Sequence, residues 1–302
     1  MSICSFVHRP AKSVSWLSLV LLCIAFSPVS ASAAQDALKR IADRGQINIG
    51  FNEDAPPFSV RANGRGDPIG YSIDLCLAMA ERVKQETGQA DLRVKFLPVP
   101  TDQMVRIVRS SGVDLMCAGT SDTVERRASM AFSQPIFISS VKMMVRNKDG
   151  YKDAADIKGK PIAVLGRTTA ESAVLAFSKQ KNLDLEISRA VGADAALGKL
   201  RLGHVAAWAR DEVLLRGIHQ RQPDAADFTI LPNAMSSEVI AIAYPSDAGL
   251  QRVVDQTLAG LARDGRLEAL YQQWFVKPNP ASQKGLNLPL STELKEVFDR
   301  QR

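Results

Sequence analysis

Short β-rich runs alternate with helix-length stretches along almost the whole chain, and that alternation leaves few folds open. Residues 47–51 (INIGF), 92–99 (LRVKFLPV) and 113–118 (VDLMCA) read as strands, being short, apolar or β-branched, and bounded by turn residues. Residues 72–87 and 102–111 read as the helices between them. Ser72 is placed to cap the first helix, with Asp74 in its first turn and Gly88 at its exit; Thr101 is placed to cap the second. A β-α-β-α-β order calls for a parallel sheet with helices on its faces.

A second unit repeats the alternation. Residues 160–165 (KPIAVL), 183–188 (LDLEIS), 205–209 (VAAWA) and 228–231 (FTIL) read as strands, and 169–180, 194–202 and 211–221 as helices. The phrase SSGVDLMC at 110–117 is echoed by RLGHVAAW at 201–208: a helix exit, a glycine, then an apolar strand. Two apolar segments, 141–145 (VKMMV) and 239–244 (VIAIAY), link the units. If one leads out and the other returns, the first lobe is discontinuous, spanning 35–142 and 241–302 around a second lobe at 143–240. Helices at 248–263 and 266–275 complete the first lobe, and a turn and helix follow at 288–298.

With 302 residues, 46% of them hydrophobic, such a chain can build two cores without a metal or disulfide staple. The only long apolar run is residues 14–26, preceded by Arg9 and Lys12 and followed by Pro28 and the small residues 30–34 (SASAA). A basic start, a short apolar stretch and small residues form a secretory signal peptide over residues 1–34, cleaved near Ala33 or Ala34. The other reading is a single membrane anchor; bulky Leu22 before Cys23 speaks against a lipid-modified cysteine. Export means a periplasmic location. Removing Arg9 and Lys12 lowers the net charge of +6 to +4, and the remaining basic residues are scattered. Arg126-Arg127 is their densest pair, with no aromatic residues interleaved, so no nucleic-acid partner is expected. His204 and His219 have no Cys or carboxylate at metal-ligand spacing, and neither a metal nor a cofactor is expected. Cys76 and Cys117 form either a disulfide or two separate buried thiols; spacing alone does not choose.

Several motifs in order carry a family resemblance. Asn52-Glu53 ends a strand before Pro56-Pro57-Phe58-Ser59, and Gly70-Tyr71-Ser72-Ile73-Asp74-Leu75 follows. Then come Gly112-Val113-Asp114, Ala118-Gly119-Thr120-Ser121, Val124-Glu125-Arg126-Arg127, Phe132-Ser133-Gln134-Pro135 and Asp156-Ile157-Lys158-Gly159-Lys160. The chain resembles the periplasmic solute-binding proteins of amino-acid ABC importers, family 3. Its ending, Leu286-Asn287-Leu288 and Ser291-Thr292-Glu293-Leu294-Lys295, is similar to the glutamate/aspartate-binding branch. The resemblance implies a bilobed α/β fold of the periplasmic-binding-protein type II, its lobes joined by two hinge strands. It implies a monomer that closes on one amino acid and delivers it to an inner-membrane ABC permease. The ligand would lie where strands end, as in open α/β sheets generally.

Both ends of an amino acid need partners when buried. Arg126, just past the polar stretch 119–123, maps onto the family's α-carboxylate ligand, and a guanidinium suits a carboxylate's two oxygens. Gly119, Thr120 and Ser121 in that loop would complete the carboxylate site. Thr168 and Thr169 match the second lobe's hydroxyl ligands, although a helix cap explains them equally. Asp211, following its strand, maps onto the acid that holds the ammonium; capping the next helix is its other reading. Phe58 is an apolar wall of the pocket or simply core.

The acidic-ligand branch carries basic side chains where this chain has Asn52 and Met104, and a His where it has Ala193. Each lost cation removes a charge-assisted bond of about 1.5–3 kcal/mol. Arg167 either substitutes for them or points to solvent. The ligand is therefore glutamate or aspartate, or an amino acid with a neutral polar side chain. A dehydratase-like enzyme on the same fold is the alternative to a carrier. Glu53, at a strand exit, is its best general acid or base, with a plain loop carboxylate the bland reading. A sensor domain would need a membrane span after the lobes, and the sequence shows none.

Overall fold

The computed structural model describes residues 36–61 and 64–302; the signal peptide expected over 1–34 lies outside the described residues. Helix α1 (Ala37–Arg44) leads into β1 (Gln46–Phe51), and a small hairpin, β2 (Asp54–Ala55) and β3 (Ser59–Val60), follows. Helix α2 (Tyr71–Thr87) comes next, then β4 (Arg93–Pro98), α3 (Met104–Arg109), β5 (Leu115–Ser121), α4 (Val124–Arg127), β6 (Ala131–Phe132) and β7 (Phe137–Arg146). The second half runs β8 (Pro161–Leu165), α5 (Thr169–Lys181), β9 (Glu186–Ala190), α6 (Ala193–Leu202), β10 (Ala207–Asp211), α7 (Glu212–His219) and β11 (Phe228–Ile230). Strand β12 (Ser236–Tyr244) returns to the first half, which ends with α8 (Ala248–Arg263), α9 (Arg266–Tyr271) and α10 (Thr292–Arg300).

One sheet runs through both halves in the order β4-β1-β5-β12-β7-β10-β8-β9, with β6 added beside β12 and β11 beside β7. Strands β4, β1 and β5 are parallel, as are β9, β8 and β10. Each parallel set is wound second-first-third, so β5 and β10 hold equivalent places beside the middle of the sheet. The echoed phrases lead into these two strands. Between the sets, β7 and β12 pair antiparallel from Phe137↔Ile240 to Val141↔Ser236.

The elements follow local chemistry where it is strong. Helix α2 starts at Gly70, φ +151°, where an added Cβ would lie 2.0 Å from the Phe58 carbonyl oxygen, and stops at left-handed Gly88. Its Tyr71, Leu75, Cys76, Met79, Ala80 and Val83 are buried, a helical stripe against the first-half core. Helix α8 is capped by Asp247, which accepts from the Leu250 N–H, and buries Leu250, Val253, Val254, Leu258 and Leu261.

Several expectations need correction. Ser72 does not cap α2; it sits inside the first turn and its hydroxyl donates to the Ala118 carbonyl at 3.1 Å, tying the helix to β5. Thr101 opens a single 3₁₀ turn (Thr101–Gln103) before α3 and makes no side-chain cap. Strand β5 runs on through Gly119, Thr120 and Ser121, expected as loop, because β12 lies alongside and pairs with Thr120 and Ser121. Strand β10 lies two residues later than expected and ends at Asp211, because β7 pairs with it up to Val141. Strand β9 is displaced in the same direction, to Glu186–Ala190. The helix expected over 266–275 ends at Tyr271 and continues as a π-turn, Gln272–Val276. Cys76 and Cys117 form a disulfide joining α2 to β5.

Candidate functional site

The carboxyl ends of β1, β5, β8 and β10 converge on one cavity between the halves, the crevice that the two winding patterns create. From the first half it is lined by Asn52 just past β1, Thr101 before α3 and Met104 at its start, Gly119, Thr120 and Ser121 on β5, and Arg126 on α4. Arg126 is fixed from two sides: its N–H meets the Thr123 hydroxyl at 3.2 Å, and its Nη1 donates to the Ser121 carbonyl at 2.8 Å. Among the described residues no ion pair engages its guanidinium. Burial pulls its pKa below the ordinary guanidinium value, and the charges of Glu238, Asp211 and Glu125 work against that. Arg127 points elsewhere and pairs with Asp122 at the surface. Gly119 leaves room where a side chain would not fit: a Cβ there would stand 2.8 Å from Phe58 Cδ2. Phe58 is fully buried beneath it against Phe137 and Phe275, in the core and not on the cavity wall.

The second half contributes Leu165 at the end of β8, Thr168, Thr169 and Ala170 at the start of α5, and Ala209, Arg210, Asp211 and Leu214 from β10 and α7. Thr168 is the cap of α5: it accepts from the Glu171 N–H at 3.3 Å and donates to the Leu165 carbonyl at 2.7 Å. The Thr169 hydroxyl meets that of Ser121 at 3.2 Å, a bond across the cleft. A second crossing bond joins the Ala193 N–H to Asp54 Oδ2 at 2.8 Å. Asp211 occupies the N-cap position of α7, yet its side chain makes no capping bond. Its Oδ1 is buried and has no hydrogen-bond partner among the described residues. Burial first, and the Glu238 charge second, push its pKa up to about 7, while Arg210 and Arg126 pull it down. A buried carboxyl oxygen without a partner is costly unless something in the cavity satisfies it.

Asn52 and Met104, which stand where cations were sought, supply none: the Asn52 amide donates to the Val99 carbonyl, and Met104 is a buried thioether. Arg167 does not reach the inner cavity and lines an outer cleft that meets it at Thr101 and Leu165. Glu53 also faces that outer cleft, exposed and paired with Arg61 at 2.6 Å. Among the described residues no group of three or more His, Cys, Asp or Glu could hold a metal ion, and no helix is long and apolar enough to cross a membrane.

Residues 47–277 match the model of the bacterial extracellular solute-binding proteins, family 3. The chain belongs to that family. This family 3 protein is 29% identical over 273 residues, 90% of either chain, to the L-glutamate/L-aspartate-binding protein of Pseudomonas aeruginosa. It is 28% identical over 293 residues to the glutamate/aspartate import solute-binding protein of Escherichia coli, covering 97% of this chain and 96% of that one. Among solved structures, an ancestral arginine-binding protein bound to arginine matches with a TM-score of 0.67 at 26% identity, over 77% of this chain and 99% of that chain. The fold is accordingly the bilobed α/β fold of the periplasmic binding proteins, and the relatives named are binding proteins.

Two charged groups of this family 3 protein escaped the sequence reading. Arg210 lines the cavity beside Asp211 and is only 5% exposed. Glu238, on β12, is also buried, accepts from the Ser236 hydroxyl at 2.8 Å, and acts on both Arg126 and Asp211. A charge inside a strand is a weak signal, since most such residues face water. The Arg-Asp pair at the end of an otherwise apolar strand, AWARD, was the one available hint.

Proposed function

We propose that this chain is an exported solute-binding protein that takes up one free amino acid between its lobes and hands it to an inner-membrane ABC importer. Residues 1–34 direct export to the periplasm; residues 35–142 with 241–302 form one lobe, residues 143–240 the other, and β7 and β12 are the hinge. The observation that carries the reading is the pairing of unlike groups across one cavity: among the described residues, a guanidinium on α4 engaged only through Nη1 and an unpartnered carboxyl oxygen on β10. Arg126, with the hydroxyls of Thr120 and Ser121, receives the α-carboxylate. Asp211, ionised by the arriving ammonium, receives the other end. Thr169 reaches the ligand from α5, whose first turn faces the cavity. Met104 and Gly119 set the shape of the wall. The names of the Pseudomonas and Escherichia relatives support import of an amino acid.

The test is a thermal-shift panel of the common L-amino acids on ligand-stripped mature protein. A ligand at a hundred times its Kd adds about 2.7 kcal/mol, a plain rise in Tm. No shift with any amino acid would end the reading. Turnover of a cyclohexadienyl acid would replace it with the enzyme.

A further inference from the structure

We propose that Arg210 is a specificity-determining residue that grips an acidic group on the ligand's side chain, so that the site selects a dicarboxylic amino acid over a neutral one. This rests on the amino-acid reading above and adds a third charged contact to it.

A guanidinium only 5% exposed must be paired or pay a large desolvation cost. Asp54 is the one acid in ion-pair contact with Arg210 among the described residues, and its Oδ1 stands 3.6 Å from Nη2, beyond a good hydrogen bond. The other oxygen of Asp54 is already committed to the Ala193 N–H. Arg210 Nη1 is buried and has no hydrogen-bond partner among the described residues. The guanidinium carbon lies 5.9 Å from the Trp208 ring centre, and Trp208 is fully buried, which fixes the arginine's base. So the side chain is held in place with part of its donor set unused, beside the cavity.

The placement separates this role from that of Asp211. Neighbours on a strand point to opposite faces, so Arg210 and Asp211 leave β10 in different directions while lining the same cavity. One small group cannot satisfy both. An amino acid's carboxylate and ammonium match Arg126 and Asp211, and Arg210 is then left with only a distant carboxylate. A second carboxylate on the ligand balances it. The remaining lining groups offer no other cation: the inner cavity has no lysine or histidine, and Arg167 faces the outer cleft.

The experiment is isothermal titration of the mature chain with L-glutamate, L-aspartate, L-glutamine and L-asparagine, repeated on Arg210→Met and on Arg167→Met. Wild type should bind at least one acid tenfold or more tighter than its amide. Arg210→Met should weaken that acid by about ten- to a hundredfold, the loss of one charged bond, and leave the amide within a few-fold. Arg167→Met should change neither. Should Arg210→Met fail to fold, Arg210→Gln, which keeps hydrogen-bonding groups near Asp54, carries the same expectation. Equal wild-type affinity for acid and amide would overturn the inference, and so would a variant that weakens both alike. Tight binding of a neutral amino acid removes only the role given to Arg210. Failure of every amino acid to bind removes the wider reading as well.

Discussion

The two halves wind their strands in the same order, yet they bring different charges to the cavity. Strand β5 delivers a cation alone, through the short helix after it, and β10 ends in an arginine and an acid side by side. The halves also differ in bracing. The first ties its third strand to α2 by the Cys76–Cys117 bond and by the Ser72–Ala118 hydrogen bond. The second packs Trp208 on one face of its sheet and Ala207 and Ala209 on the other, with no covalent link among the described residues. The lesson is that winding fixes where a ligand sits, while the one or two residues after each strand fix what it is.

If the two charges divide the work as proposed, removing the cation has the largest effect. Arg126→Ala should weaken amino-acid binding by more than about a hundredfold, since it deletes a two-pronged charged contact, and should leave the melt of the unliganded protein nearly unchanged. Titration and melting measured on the same sample separate the two; a collapse of the fold would make Arg126 structural.

That Arg126 belongs near the crevice was legible before any coordinates, and the reasons show what a sequence can carry. Arg126 lies in a run of family motifs, and α8 falls on the residues expected because Asp247 and its apolar stripe are local signals. The far ends of β5 and β10 were not legible, because the antiparallel partners that extend or shift them come from remote parts of the chain. Ser72 looked like a cap because its partner, the Ala118 carbonyl, is 46 residues away. The cysteine pairing stayed open for the same reason, and Arg210 was missed because its burial depends on Asp54 and Trp208.

The next effect falls on bracing. The disulfide closes a loop with a sequence separation of 41, so replacing both cysteines by alanine should lower stability by about 2–4 kcal/mol. Denaturant unfolding measures it. Amino-acid affinity should change little, because neither sulfur lines the cavity; a large loss of affinity would mean that α2 positions β5 for binding.

The smallest effect belongs to the acid and appears as a pH profile. The Asp211 carboxyl titrates near 3.8 when free and is held at about 7 in the fold. The folded state therefore holds its proton more tightly than the unfolded state. Its contribution to stability is complete below about 4 and is lost as pH rises to about 7, so unliganded protein should melt lower at pH 8 than at pH 5 through this group. Asp211→Asn should flatten that part of the profile. Binding should run the other way: the ammonium needs the ionised acid, so affinity should be roughly tenfold weaker at pH 6 than at pH 8. The groups facing Asp211, namely Glu238, Arg210 and Arg126, shift the midpoint without changing the sign. An affinity that does not vary with pH would deny Asp211 contact with the ligand.

The bond between the hydroxyls of Ser121 and Thr169 has a consequence for unloading. It is neutral, and water can replace it on both sides when the jaws part, so surrendering it costs on the order of 1 kcal/mol. A carrier zipped by salt bridges at that seam would hold its cargo against the importer. With a hydroxyl pair there, that seam resists parting only weakly, and the charged contacts still to be broken are those of Asp54 with the Ala193 N–H and with Arg210.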